Sequence, residues 1–163
     1  QPIIAEDLGY LTDTVKKLLA DSTFPGMKVL EFAFDKRDEN SVEYLPWKIP
    51  ANSIGYIGTH DNDTANGWMK TANPEDVAFA TEFLHLTEEE GYNWGMMRAL
   101  WQSNSDTTIV QFQDVLGLGS ESRMNTPSSV GANWQWRALP GSFNTELAQL
   151  LRHKMEIYDR LGE

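Results

Sequence analysis

Two short acidic clusters carry the most suggestive chemistry in this sequence. Glu6-Asp7 follows the apolar run Ile3-Ile4-Ala5, and His60-Asp61-Asn62-Asp63 follows residues 53–59 (SIGYIGT). Carboxylates at the ends of neighbouring strands can serve as a general acid/base and a charge stabiliser, the pairing that glycoside chemistry uses. Acids in such places also cap helices and bind water, so spacing alone leaves both readings open. A metal reading of His60, Asp61 and Asp63 is open too, since one imidazole and two carboxylates suit hard to borderline cations. The remaining histidines, His85 and His153, fall in helical text and add no ligand to it.

Aromatic and cationic side chains form the second group. Of the six tryptophans, Trp94 and Trp101 sit in a helical pattern and are expected in the core. Trp47, Trp68, Trp134 and Trp136 lie beside Gly, Asn and Pro, where an indole either stacks on a sugar ring or pins a long loop. Arg123 and Arg137 flank the same loop text. Each either bonds a ligand or pairs structurally.

The elements that must position these groups alternate between strand and helix. Ile3-Ile4-Ala5 reads as a short buried strand, residues 27–34 (MKVLEFAF) as a second, 53–59 as a third and 107–112 (TTIVQF) as a fourth. Thr12 opens a helix with apolar residues at 15, 18 and 19. Asn73 opens another, with Pro74 at its first position and Glu75-Asp76 in its first turn. Thr87-Glu88-Glu89-Glu90 fits a capping box for a helix running to about 103, and Asn144 or Thr145 caps the last one. The stretch 117–142 is rich in Gly, Ser, Asn and Pro and is expected to be loop. Strand–helix alternation predicts an α/β fold with a parallel sheet and its chemistry at the strands' C-terminal ends, as in (β/α)₈ barrels. Four such units make half a barrel, since a full one takes about 250 residues.

Composition bounds the partners. With 13 Lys+Arg against 24 Asp+Glu, the net charge of −11 argues against a nucleic-acid surface and against docking on anionic lipid. The longest acidic run is Glu88-Glu89-Glu90, too short for a disordered acidic tail. The absence of Cys excludes disulfides, thiolate metal sites and Cys nucleophiles, and suits a reducing, cytoplasmic setting. No apolar stretch approaches the 18 residues of a membrane span.

Several segments, in order along nearly the whole chain, resemble the 4-α-glucanotransferases, the amylomaltase or disproportionating-enzyme family. They are Pro2-Ile3-Ile4-Ala5-Glu6-Asp7-Leu8-Gly9, Met27-Lys28-Val29-Leu30-Glu31-Phe32-Ala33-Phe34, and Gly55-Tyr56-Ile57-Gly58-Thr59-His60-Asp61-Asn62-Asp63-Thr64. Gly67-Trp68, Gln113-Asp114-Val115-Leu116-Gly117-Leu118-Gly119, Arg123-Met124-Asn125-Thr126-Pro127 and Asn133-Trp134-Gln135-Trp136-Arg137 follow. The His-Asp-Asn step is shared with α-amylases, whereas the last two segments make the resemblance specific. It implies that residues 1–163 are the C-terminal half of a TIM-type catalytic barrel, strands five to eight, transferring 1,4-α-glucan segments to a new 4-hydroxyl. Glu6 then matches the general acid/base and Asp61 the transition-state stabiliser. His60 matches a sugar-hydroxyl ligand, and Asp7 and Asn125 match substrate-side polar groups. No metal or organic cofactor is implied. The family's nucleophile lies in an Arg-x-Asp-His segment that these residues lack, so the chain alone is expected to be inactive and to self-associate through open barrel edges. The alternative is a non-catalytic carbohydrate-binding or scaffold half-barrel.

Overall fold

A computed structural model describes residues 3–9 and 11–162. Helix α1 (Asp13–Ser22) begins where Thr12 accepts the Val15 amide, and it ends at Thr23, whose backbone is left-handed (φ 58°). Strand β1 (Gly26–Val29) follows, then 3₁₀ turns at Leu30–Phe34 and Ser41–Tyr44, and strand β2 (Ser53–Tyr56). Helices α2 (Ala65–Thr71), α3 (Pro74–Leu84) and α4 (Tyr92–Trp101) lead to β3 (Thr107–Ile109). A short helix α5 (Phe112–Val115), a 3₁₀ turn at Ser120–Ser122 and a terminal helix α6 (Thr145–Ile157) complete the order.

The three strands pair in parallel, in the order β1-β2-β3, with Gly26 opposite Ser53 and Ile54 opposite Thr107. Ala5 adds a parallel bridge to Gly26 on the far side of β1, its amide donating to the Pro25 carbonyl at 2.9 Å. Spatial order therefore follows chain order, which is how a sheet grows by successive parallel crossovers. The C-terminal ends of Ala5, β1 and β2 open onto one rim, where Glu6 and His60-Asp61 sit, with Glu31 buried beneath them.

The strands are shorter than the sequence predicts. The second one gives way at Leu30 to a 3₁₀ turn that buries Leu30, Glu31, Ala33 and Phe34. The Glu31 amide within it still reaches across to the Ile57 carbonyl at 3.1 Å. The first run is not buried: Ile3 is 46% and Ile4 49% exposed. In β3, Thr107 and Ile109 are also exposed. Parallel strands are normally covered on both faces; among the described residues nothing covers these outer ones. The helix expected to start at Thr87 starts at Tyr92. Thr87 instead accepts the Glu90 amide in a separate turn, and Gly91 (φ 88°) re-aims the chain.

The core lies between the sheet and helices α2 to α4. Phe34 is fully buried and meets Phe79 edge-on at 5.7 Å and Phe83 at 6.2 Å. Met96, Met97, Leu100 and Trp101 fill the layer below. Gly55 permits this approach, since a Cβ there would stand 3.0 Å from both Leu100 Cδ1 and Ser105 Oγ. Arg160, beyond α6, donates to the carbonyls of Trp101, Ser103 and Ser105 at 2.6–2.8 Å and locks the terminal segment onto the α4–β3 turn. Among the described residues, no helix is long and apolar enough to cross a membrane.

Candidate active site

The tetrad after β2 splits into an outward pair and an inward pair. Asn62 Oδ1 accepts the Thr59 amide and the Thr59 hydroxyl, both at 2.9 Å, which folds the chain into a tight rim loop. Asp63 turns down into the molecule, only 9% exposed, and accepts from the Ser120 hydroxyl at 2.6 Å and the Thr64 amide at 2.8 Å. His60 and Asp61 face solvent with half-exposed side chains. Asp63 therefore anchors the loop of residues 119–123 and does not share a centre with His60 and Asp61. Among the described residues, no three His, Cys, Asp or Glu groups are placed to hold a metal.

Asp61 and His60 gain their neighbours from far along the chain. Asn125 Nδ2 donates to Asp61 Oδ1 at 2.6 Å, and His60 Nε2 lies 3.4 Å from the same oxygen. The Asn125 amide in turn donates to the His60 carbonyl at 3.1 Å. Trp134 stands over His60 with ring centroids 4.9 Å apart. Its backbone is left-handed (φ 64°), which is unusual for a bulky residue, and is held by its amide bond to the Met124 carbonyl at 2.7 Å. Arg123 closes the cluster, with Nη2 on the Asp61 carbonyl at 2.5 Å and Nε on the Asn125 carbonyl at 2.9 Å. Three of the five residues singled out in the sequence thus meet, and Trp134 and Arg123 join them.

Glu6 and Asp7 occupy the same rim two strands away, roughly 10 Å at about 4.8 Å per strand. Glu6 is exposed. Asp7 is 5% exposed and turns inward, accepting from the Met27 amide at 2.5 Å and Lys28 Nζ at 3.2 Å. Gly26 makes room for it, because a Cβ there would meet the Asp7 carboxylate at 2.8 Å. Asp7 thus fastens the Glu6 segment to β1.

Two further carboxylates lie beneath the rim, and spacing gave no sign that they would be buried. Burial pushes Glu31 well above the usual carboxylate range, with Asp114 and Asp63 adding to it and the Arg123 guanidinium opposing. Burial likewise raises Asp114 to about 6, opposed by the Ala65 amide it accepts at 2.7 Å and assisted by Asp63. Among the described residues, Glu31 Oε1 and Asp114 Oδ2 find no hydrogen-bond partner. A cleft of about 310 Å³ between the rim and α2 is lined by Glu31, Asp63, Trp68 and Arg123, among others.

The rim above the parallel sheet thus carries a half-exposed carboxylate steadied by an amide, beside an imidazole covered by an indole. Residues 1–142 match the 4-alpha-glucanotransferase family, and the chain belongs to that family. It is 46% identical over 159 residues to the 4-alpha-glucanotransferase of Clostridium butyricum, covering 97% of this chain and 32% of the relative. The Thermus thermophilus enzyme of the same name is 43% identical over 167 residues, covering 98% of this chain and 33% of the relative. The amylomaltase of Streptococcus agalactiae, solved with acarbose, superposes with a TM-score of 0.91 at 38% identity. That match covers 99% of this chain and 32% of the solved one, so the chain spans about a third of the relatives it matches. Its α/β fold resembles that part of an amylomaltase.

Proposed function

We propose that this chain supplies one half, strands five to eight, of the catalytic barrel of an enzyme that transfers 1,4-α-glucan segments to the 4-hydroxyl of a glucose or glucan acceptor. The observation that carries the reading is the Asp61–Asn125–His60 cluster under Trp134, on the same rim as Glu6, in a member of this family. Glu6 protonates the departing glycosidic oxygen while a carboxylate from outside these residues attacks the anomeric carbon, leaving a covalent glycosyl intermediate. Glu6 then takes the proton of the incoming 4-hydroxyl, and the segment is transferred instead of hydrolysed. Asp61, held by Asn125, faces the ring as positive charge develops on it. His60 and Asn125 bond sugar hydroxyls, while Asp7, turned inward onto Lys28, holds the Glu6 segment in place. Maltooligosaccharides are the expected substrates, in a cytoplasmic setting.

No Arg-x-Asp-His segment occurs in the 163 residues. The chain alone is therefore expected to leave maltotriose unchanged, while the full-length protein converts it to glucose and longer maltodextrins. Chromatography of both reactions is the test. Glucose released by the isolated chain would overturn the division of catalytic groups, and an inactive full-length protein would overturn the activity itself.

A further inference from the structure

We propose that Arg123 is the positioning residue of this site, setting the Asp61 carboxylate and the Asn125 amide against each other by holding the backbone of both. The inference rests on the role given to Asp61 above. Asp61 and Asn125 lie 64 residues apart and reach the rim on different loops. Asn125 belongs to the long connection between α5 and α6, whose only regular piece is the turn Ser120–Ser122. Loops of this kind open easily unless specific bonds hold them. Here the bonds form a closed ring. Arg123 Nη2 donates to the Asp61 carbonyl at 2.5 Å, Nε to the Asn125 carbonyl at 2.9 Å, and the Asn125 amide to the His60 carbonyl at 3.1 Å. The 2.6 Å bond from Asn125 Nδ2 to Asp61 Oδ1 is what that ring presents to the rim.

Arginine is suited to this task and lysine is not. The planar guanidinium offers two donors in fixed directions, so one side chain spans two carbonyls at a set separation, whereas an ammonium on a flexible stem does not fix both. The head group also borders the cleft that Glu31 and Asp63 line, where Glu31 Oε1 has no hydrogen-bond partner among the described residues. Both of its rim bonds go to main-chain oxygens. Through these two bonds Arg123 acts on Asp61 and Asn125 by way of their backbones.

The test uses the full-length protein carrying this chain, with Arg123→Ala, Arg123→Lys, Asn125→Ala and the double variant Arg123→Ala/Asn125→Ala. Misplacement of a reacting group by about 1 Å costs roughly 100-fold. Arg123→Ala is expected to lower kcat on maltotriose by about that factor with KM little changed, and Arg123→Lys to recover only part of the loss. The double variant should be slowed by clearly less than the product of the two single losses, because both substitutions remove one arrangement. Multiplying effects, full activity of Arg123→Ala, or full recovery by lysine would each overturn the proposal. A second readout needs no turnover. In protein with ¹⁵N-labelled asparagine, the Asn125 side-chain amide should move to the position of a free amide in Arg123→Ala and part of the way there in Arg123→Lys, while the signal of buried Asn93 stays. An unmoved Asn125 signal overturns the role of Arg123 even if the wild-type protein transfers no glucan, and that inactivity separately overturns the transfer reading.

Discussion

At the residue scale, the acids of this chain divide by where their charge can be solvated. Glu6 and Asp61 stand in water at the rim, Asp7 is neutralised by Lys28, and Glu31 and Asp114 are buried. Asp114 has a measurable consequence. Its folded carboxyl titrates near 6 against about 3.9 when unfolded. Well below pH 4 both states hold the proton and there is no ionisation penalty. As pH climbs towards and through 6 the unfolded state is already ionised, and stability falls. At about 1.4 kcal/mol per unit the penalty at pH 8 is on the order of 3 kcal/mol. Asp114→Asn keeps an oxygen for the Ala65 amide and removes the charge. It should lessen the stability that the wild type loses between pH 5 and pH 8, measured by denaturant unfolding at both values. An unchanged loss would show that Asp114 is ionised throughout.

At the element scale, local signals were readable and strand lengths were not. Thr12, Asn73 and Asn144 all cap the helices their types and positions announce, each accepting an amide two or three residues on. Such caps depend on neighbours in sequence, so sequence shows them. Residues 30–34 have strand-like composition yet wind into a 3₁₀ turn that buries Leu30 and sets Phe34 against Trp68 of α2 and Phe79 and Phe83 of α3. That preference comes from packing and leaves no local mark. Helix α2, after the rim loop, was not foreseen; it starts on the Thr64 cap, with Asp63 tied beneath it to Ser120. The close contact of β2 with α4 sets a test of this layer. Gly55→Ala places a methyl 3.0 Å from Leu100 and Ser105 in a filled core. Overpacking of this kind costs about 1–3 kcal/mol, which denaturant unfolding would register; a neutral change would mean that α4 is free to shift.

At the scale of the whole molecule, the sheet is buried at its central strand and open at its edges. Ile3, Ile4 and Ile109 are each 41–49% exposed, and the outer strands have no further partner among the described residues. Unpaired strand edges with apolar side chains invite another chain. The 18.5 kDa chain, prepared by itself, should therefore scatter light as a species above monomer mass at high concentration. Substituting lysine for Ile3 and Ile109 should shift it towards monomer, since charge on an edge opposes pairing. A wild-type monomer at every concentration would contradict this.

The sequence by itself determined the α/β alternation, the helix caps, the acidic partner profile and the family, because each is written in near neighbours or in motifs that recur in order. It also singled out Asp61, His60 and Asn125. It left open what Arg123 does, what Trp134 rests on, and whether Asp63 and Asp7 face a ligand or the interior. Only the tertiary structure decided these, turning Asp63 onto Ser120 and Asp7 onto Lys28, and bringing Arg123, Asn125 and Trp134 to a loop more than 60 residues earlier. The physical reason is range. A cap or a strand run is settled by atoms a few residues away, whereas burial, charge neutralisation and the shape of a rim are settled by contacts that exist only after the chain has closed on itself.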